Sequence, residues 1–179
     1  MKVFIDVGAH IGESADFWLK HYPDWKVICW EPFMKNVHQI KQKGYEVIPA
    51  LAWWKDDVIP FYFGLPQSGS VFSTKKTGGV NPNNFRLKPA FDFSRWLKEH
   101  YTKKDTIVVK MNCEGAEYSI IAKMEEDGTL DMVDKWYVQW HWDKIGLDKA
   151  LHKKVQKMIK WSPWHAMTPM IFEKTFDKL

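Results

Sequence analysis

The sequence predicts an α/β fold, a Rossmann-like, doubly wound, mostly parallel sheet with helices on both faces. Three observations point to it. Short apolar runs alternate along the chain with segments of helical periodicity. The first run, Val3–Val7, closes on Gly8 and leads straight into a helical pattern, as a buried parallel strand does. The run Thr106–Met111 is strongly β-branched and reads as a central strand.

The elements follow in order. From Ser14 the apolar residues Ala15, Trp18, Leu19 and Tyr22 keep helical spacing, and Pro23 stops that helix. Lys26–Trp30 is a second strand. Phe33, Val37 and Ile40 form one face of a second helix that ends near Gly44. Glu46–Leu51 is a third strand. Lys55-Asp56-Asp57 reads as a turn between Trp53-Trp54 and Ile59–Phe63, which predicts a hairpin. The stretch 64–90 is rich in Gly, Pro, Ser and Asn. It is expected to be a long loop, and a candidate substrate lid. Asp92 is placed to cap a helix whose face carries Phe93, Trp96, Leu97 and Tyr101. After Thr106–Met111 come a helix over Gly115–Met124 and a fifth strand over Val133–Trp140. Asp148 caps a basic helix with Leu151, Val155, Met158 and Ile159 on its apolar side. A short strand or hairpin is expected around Ala166–Phe172.

Composition limits the function. The 179 residues fit one domain, read as 1–179, and 45% are apolar, enough for a substantial core. No apolar run nears the ~20 residues of a membrane span. The opening residues lack a signal-peptide pattern, so a soluble cytoplasmic protein with no membrane partner is expected. Cys29 and Cys113 read as reduced, buried thiols, and no Cys/His spacing suggests zinc or another metal. The net charge of +4 is too small and scattered to indicate nucleic acid. Lys149, Lys153, Lys154, Lys157 and Lys160 read as a solvated helix face. The eleven tryptophans are expected mostly in packing, with some available to line an aromatic cleft.

Right-handed crossovers bring four segments to one edge of such a sheet, where ligands bind as the strand order reverses. The first is Asp6-Val-Gly-Ala-His-Ile-Gly-Glu-Ser14. Gly8 permits the turn, Gly12 permits close packing, and free amides open the helix. His10 stands where a dinucleotide fingerprint has its second glycine, which argues against a pyrophosphate lying there. The second is Trp30-Glu31-Pro32, whose carboxylate ends a strand about 20 residues on, suited to ribose hydroxyls. The third is Lys110-Met-Asn-Cys-Glu-Gly-Ala-Glu-Tyr118, which sets Asn112, Glu114 and Glu117 beside the cleft. Either glutamate also suits a helix N-terminus. The fourth is Trp140-His141-Trp142.

Together these segments resemble the FkbM family of methyltransferases. That family typically shows D-V-G-A-x-x-G, a strand-end E-P, K-x-D-x-E-G-A-E and E-x-H. Here they stand as IDVGAHIGES, WEPF, VKMNCEGAEYSI and VQWHW, covering about residues 3–142. The resemblance implies a class I methyltransferase fold and transfer of a methyl from S-adenosyl-L-methionine. The implied acceptor is a small molecule, usually a hydroxyl of a sugar or natural product. It implies that Asp6, Gly8, Ala9 and Gly12 shape the methionine pocket, with His10, Glu13 and Ser14 nearby. It implies likewise that Glu31, followed by Pro32, holds the ribose, that Ala50, Leu51 and Ala52 flank adenine, and that Ser68 and Ser70 belong to a loop near the cofactor. Methyl transfer to a hydroxyl also calls for a nearby base, and Glu114 or His141 is expected to take the proton, with Lys110 and Asn112 orienting the acceptor, unless Lys110 pairs with a glutamate for structure alone. Asn112 replaces the family's usual aspartate, and Gln139 its usual glutamate, so the substrate side is less acidic than the family's.

Other classes stay open. A nicotinamide oxidoreductase fits Glu31, but His10 and EGAEY count against it. A non-catalytic nucleotide-binding module is compatible with Asn112. An RNA ribose methyltransferase is compatible with the basic helix, but a Lys-Asp-Lys-Glu tetrad is missing where it is expected. Phe72, Phe85 and Arg86 are candidate acceptor contacts.

Overall fold

The computed structural model describes residues 1–65 and 69–163. In chain order the strands and α-helices are β1 (Lys2–Val7), α1 (Glu13–His21), β2 (Lys26–Trp30), α2 (Met34–Gln42), β3 (Glu46–Ile48), β4 (Leu51–Trp53), β5 (Asp57–Tyr62), β6 (Phe85–Asp92), α3 (Phe93–His100), β7 (Thr106–Met111), α4 (Glu117–Glu126), β8 (Lys135–Val138), α5 (Lys149–Gln156) and β9 (Trp161–Pro163). Six of the strands form a wholly parallel sheet in the order β3-β2-β1-β7-β8-β9. Counted by its own strands this is 3-2-1-4-5-6, the doubly wound Rossmann-like order, and it reverses between β1 and β7.

Both faces of the sheet are covered. Alternate residues of β1 divide between two cores, as the two-residue period of a strand requires. Val3, Ile5 and Val7 join Ile107, Val109, Leu97, Ile121 and Met124 on the side of α3 and α4. Phe4 joins Trp18, Val27, Ile40 and Val108 on the side of α1 and α2. The helices before the reversal thus lie on one face and those after it on the other. Asp92 caps α3 by accepting from the Arg95 N–H at 3.0 Å, as its position predicts. Asp148 caps α5 by accepting from Ala150 and Leu151.

Several expectations need correction. The third strand does not run through Leu51. Pro49 and Ala50 break it, and β4 joins a second sheet of order β4-β6-β5. The expected hairpin does not form, because β6 lies between the two segments, parallel to β4 and antiparallel to β5. The stretch 64–90 is therefore not all loop: Phe85 and Arg86 begin β6, opposite Tyr62 and Phe61. Pro89 hid this strand, since proline in a middle strand argues against one. The inward face of α5 is His152 and Val155, while Leu151 is exposed. The five lysines from 149 to 160 are exposed. The strand or hairpin expected around 166–172 lies outside the described residues, as does Ser68.

Candidate functional site

A cavity of about 450 Å³ opens at the C-terminal edge of the parallel sheet, over the reversal between β1 and β7. That volume suits a small organic ligand. Val7, Gly8, His10 and Ile11 form one side, and Asn112, Cys113, Glu114 and Ala116 another. Glu31, Phe33 and Asn36 close the β2 end. Leu51, Ala52 and Phe61 of the second sheet supply an apolar wall, completed by Gly69 and Val71.

The turn after β1 is fixed by its neighbours. Gly8 and Ala9 both donate to the Trp30 carbonyl at 3.1 Å, and Asn112 N–H donates to Val7 at 2.9 Å. Gly8 has φ 77°, and a Cβ on it would lie 2.0 Å from the Asn112 carbonyl oxygen. Only glycine permits both the turn and this approach. Asp6 and Lys110 are register partners on adjacent strands, so their side chains meet on one face. Lys110 Nζ lies 2.8 Å from Asp6 and donates to the Gly8 carbonyl at 2.7 Å. Both residues are buried. Lys110 thus pins the turn from below and does not reach the cavity. Its acidic partner is an aspartate rather than the glutamate expected.

Glu31 is 4% exposed. Its Oε2 accepts from His10 N–H at 2.9 Å, and its Oε1 accepts from Phe33 N–H at 2.9 Å and Asn36 Nδ2 at 3.3 Å. A carboxylate offers about four acceptor positions, so roughly one stays open to the cavity. Burial pushes the carboxyl up to about 7, against the three hydrogen bonds that pull it down. His10 adopts φ 53°, a left-handed conformation uncommon outside glycine.

Opposite Glu31, the turn between β7 and α4 carries Glu114 at φ 56° and Gly115 at φ 115°. Glu117 is fully buried and accepts from Cys113 N–H at 3.0 Å, Gly115 N–H at 2.8 Å and His141 Nδ1 at 2.8 Å. His141, also fully buried, sets its Nε2 3.4 Å from Glu114 Oε2. The same oxygen lies 2.7 Å from Lys75 Nζ. Asn112 Oδ1 is buried without a hydrogen-bond partner among the described residues.

Compared with family models, curated proteins and solved structures, the chain finds no match in any of the three.

Of the residues singled out for cofactor, the cavity is lined by Gly8, His10, Glu31, Pro32, Ala50, Leu51 and Ala52. Asp6, Ala9, Gly12, Glu13, Ser14 and Ser70 stand outside its lining. Ala9 belongs to the α1-side core, Gly12 begins α1, Ser14 is buried within it, and Glu13 faces out. Ser70 is buried, donating to the Glu114 carbonyl at 2.8 Å. Of the residues singled out for chemistry, Asn112 and Glu114 line the cavity, whereas His141 stands behind Glu114. Phe72 packs on Gly115, which leaves no room for a Cβ there. Phe85 and Arg86 are exposed on β6, away from the lining. Among the described residues Trp30 is the one tryptophan in the lining. No local pattern marks Lys75: it sits in an irregular polar stretch, and its partner is 39 positions away.

Proposed function

We propose that this chain is an S-adenosyl-L-methionine-dependent methyltransferase acting on a hydroxyl of a small molecule such as a sugar or natural product. One observation supports it above the rest: a nucleoside-type carboxylate, Glu31, and a candidate proton acceptor, Glu114, face one cavity from opposite sides of the Gly8 turn. The residues fit the cofactor. The open acceptor position on Glu31 suits a ribose hydroxyl. Leu51, Ala52 and Phe61 make an apolar slot for a base. Asn112 Oδ1, buried and unpartnered, suits an ammonium or an acceptor hydroxyl.

When bound, the cofactor supplies an activated methyl whose transfer needs chiefly an aligned acceptor. The protein's own task is to hold that acceptor and remove its proton. Glu114 is the group placed to do so, because it alone of the Glu114–His141 pair reaches the cavity wall. Lys110 does not line the cavity and supports the site through the Gly8 turn.

A second reading, a nicotinamide dinucleotide oxidoreductase, is favoured by the 3-2-1-4-5-6 strand order. Titration calorimetry separates the two. We expect S-adenosylhomocysteine to bind, NAD not to, and Glu31→Gln to weaken binding at least tenfold. Binding of NAD alone would replace the methyltransferase reading with the oxidoreductase one.

A further inference from the structure

Lys75, Glu114, His141 and Glu117 form one line of ionisable side chains, with successive approaches of 2.7, 3.4 and 2.8 Å, running from the residue 69–76 segment to the start of α4. We infer that His141 receives the proton that Glu114 takes from the acceptor, and that Lys75 is the positioning residue that keeps this pair ready to receive it. The inference rests on the methyl-acceptor reading above for what the proton comes from, but the arrangement can be tested without any ligand.

Consider first how the histidine is held. Glu117 already accepts two backbone N–H bonds, from Cys113 and Gly115, and its third donor is His141 Nδ1. A carboxylate so engaged accepts and does not donate, which fixes the proton of the ring on Nδ1. Nε2 is then the ring's acceptor, and it points at Glu114. The imidazole has no exposed surface, and Glu114, 3.4 Å from Nε2, stands between it and the cavity. Glu114 presents its buried Oε2 to both Lys75 and His141, leaving Oε1 for the cavity.

Charge then decides the resting state. With His141 neutral, Lys75 contributes one positive charge and Glu114 and Glu117 two negative ones, so the line carries one net negative charge. Adding a proton to His141 makes it neutral, so the line can take in one proton without leaving a buried net positive charge. Without Lys75 the resting line would carry two net negative charges, one more than with it. The other ionisable groups packed here stay out of this count. Burial holds the Cys113 thiol and the Tyr118 phenol well above their ordinary values, so both are uncharged, and Asp143 on the same loop faces solvent. In the transfer itself the acceptor oxygen would form its bond to the methyl carbon as the carbon–sulfur bond breaks with its electron pair going to sulfur, which leaves as the neutral thioether, while the acceptor O–H bond breaks and its proton passes to Glu114 and on to Nε2.

Lys75 is held for this role by its segment. Ser70 Oγ donates to the Glu114 carbonyl, Phe72 packs on Gly115, and Lys76 N–H donates to the Lys144 carbonyl at 2.7 Å. These contacts fasten the segment to the two turns that carry Glu114 and His141.

The test is ¹⁵N NMR of His141 in the full chain without ligand, as a function of pH. The wild type is expected to show the Nδ1–H form on the alkaline side. The pH at which Nε2 also gains a proton should rise by about one unit or more in Lys75→Met, return in Lys75→Arg, and fall by about as much in Glu114→Gln. An Nε2–H form in the wild type overturns the inference, as does an unmoved midpoint in Glu114→Gln, which stands even if Lys75→Met does not fold. Failure of S-adenosylhomocysteine to bind, with these shifts observed, removes the methyltransferase reading and leaves the proton-holding line intact.

Discussion

Glu31 shows how a single buried carboxylate links folding to ligand binding. It is ordered by three donors, two of them backbone amides, so it shapes the cavity before it touches anything in it. Its carboxyl rises from 4.5 to about 7 because burial opposes the charge. The sign follows. Between these values the folded chain holds a proton that the unfolded chain has released. Stability from this group is therefore present below about 4.5 and is lost as pH rises through about 7, by about 3 kcal/mol at most. Comparing thermal melts of the wild type and Glu31→Gln across pH 4.5 to 7.5 checks this, with the wild type expected to lose stability relative to the variant as pH rises. Binding of a ribose hydroxyl to the anion should run the other way and strengthen through pH 7. The glutamine faces a difficulty that the acid does not: its amide NH₂ would meet the N–H of either His10 or of Phe33 and Asn36. The variant is thus expected to be less stable than the wild type at low pH.

At the scale of elements, the helices obey local rules and the strands do not all do so. Asp92 and Asp148 each cap the helix that the pattern assigns to them. Asp92→Ala should cost about 1 kcal/mol, seen as a fall of roughly 2–4 °C in Tm; an unchanged Tm would show that the bond to Arg95 contributes nothing. The first, second and fourth strands of the main sheet were legible to within a residue, because a strand buried on both faces is a continuous apolar run. The 51–92 region was not. Pro60 and Pro89 interrupt its runs, and β6 reaches its place between β4 and β5 only after more than twenty intervening residues. Nothing in a short window distinguishes that arrangement from a hairpin followed by a loop.

For the molecule as a whole, the second sheet has two unlike faces. Phe61 and Leu51 turn inward and help build the cavity wall, with Ala90 buried beside them. Register pairs on the opposite face are Val58 with Pro89, Pro60 with Leu87 and Tyr62 with Phe85, an unbroken apolar surface. Val58 and Leu87 are 61% and 63% exposed. Exposed apolar patches of this kind promote association. The double variant Val58→Thr, Leu87→Thr should bind less hydrophobic dye and self-associate less in light scattering, with Tm within a few degrees of the wild type. A large loss of Tm would mean that these side chains support the fold after all. No helix among the described residues is long and apolar enough to cross a membrane.

Local pattern was enough for the doubly wound architecture, for the glycine turn after the first strand and for the edge at which Glu31, Asn112 and Glu114 gather. Each of those depends on a period, a cap or a turn residue that neighbours in sequence reveal. The pairing of Lys110 with Asp6, the seating of His141 behind Glu114, and the arrival of Lys75 beside that glutamate emerged only once the chain had folded. They join residues that are 104, 27 and 39 positions apart. Contacts between such distant side chains are selected by charge and burial in three dimensions, and they leave no spacing behind in the sequence.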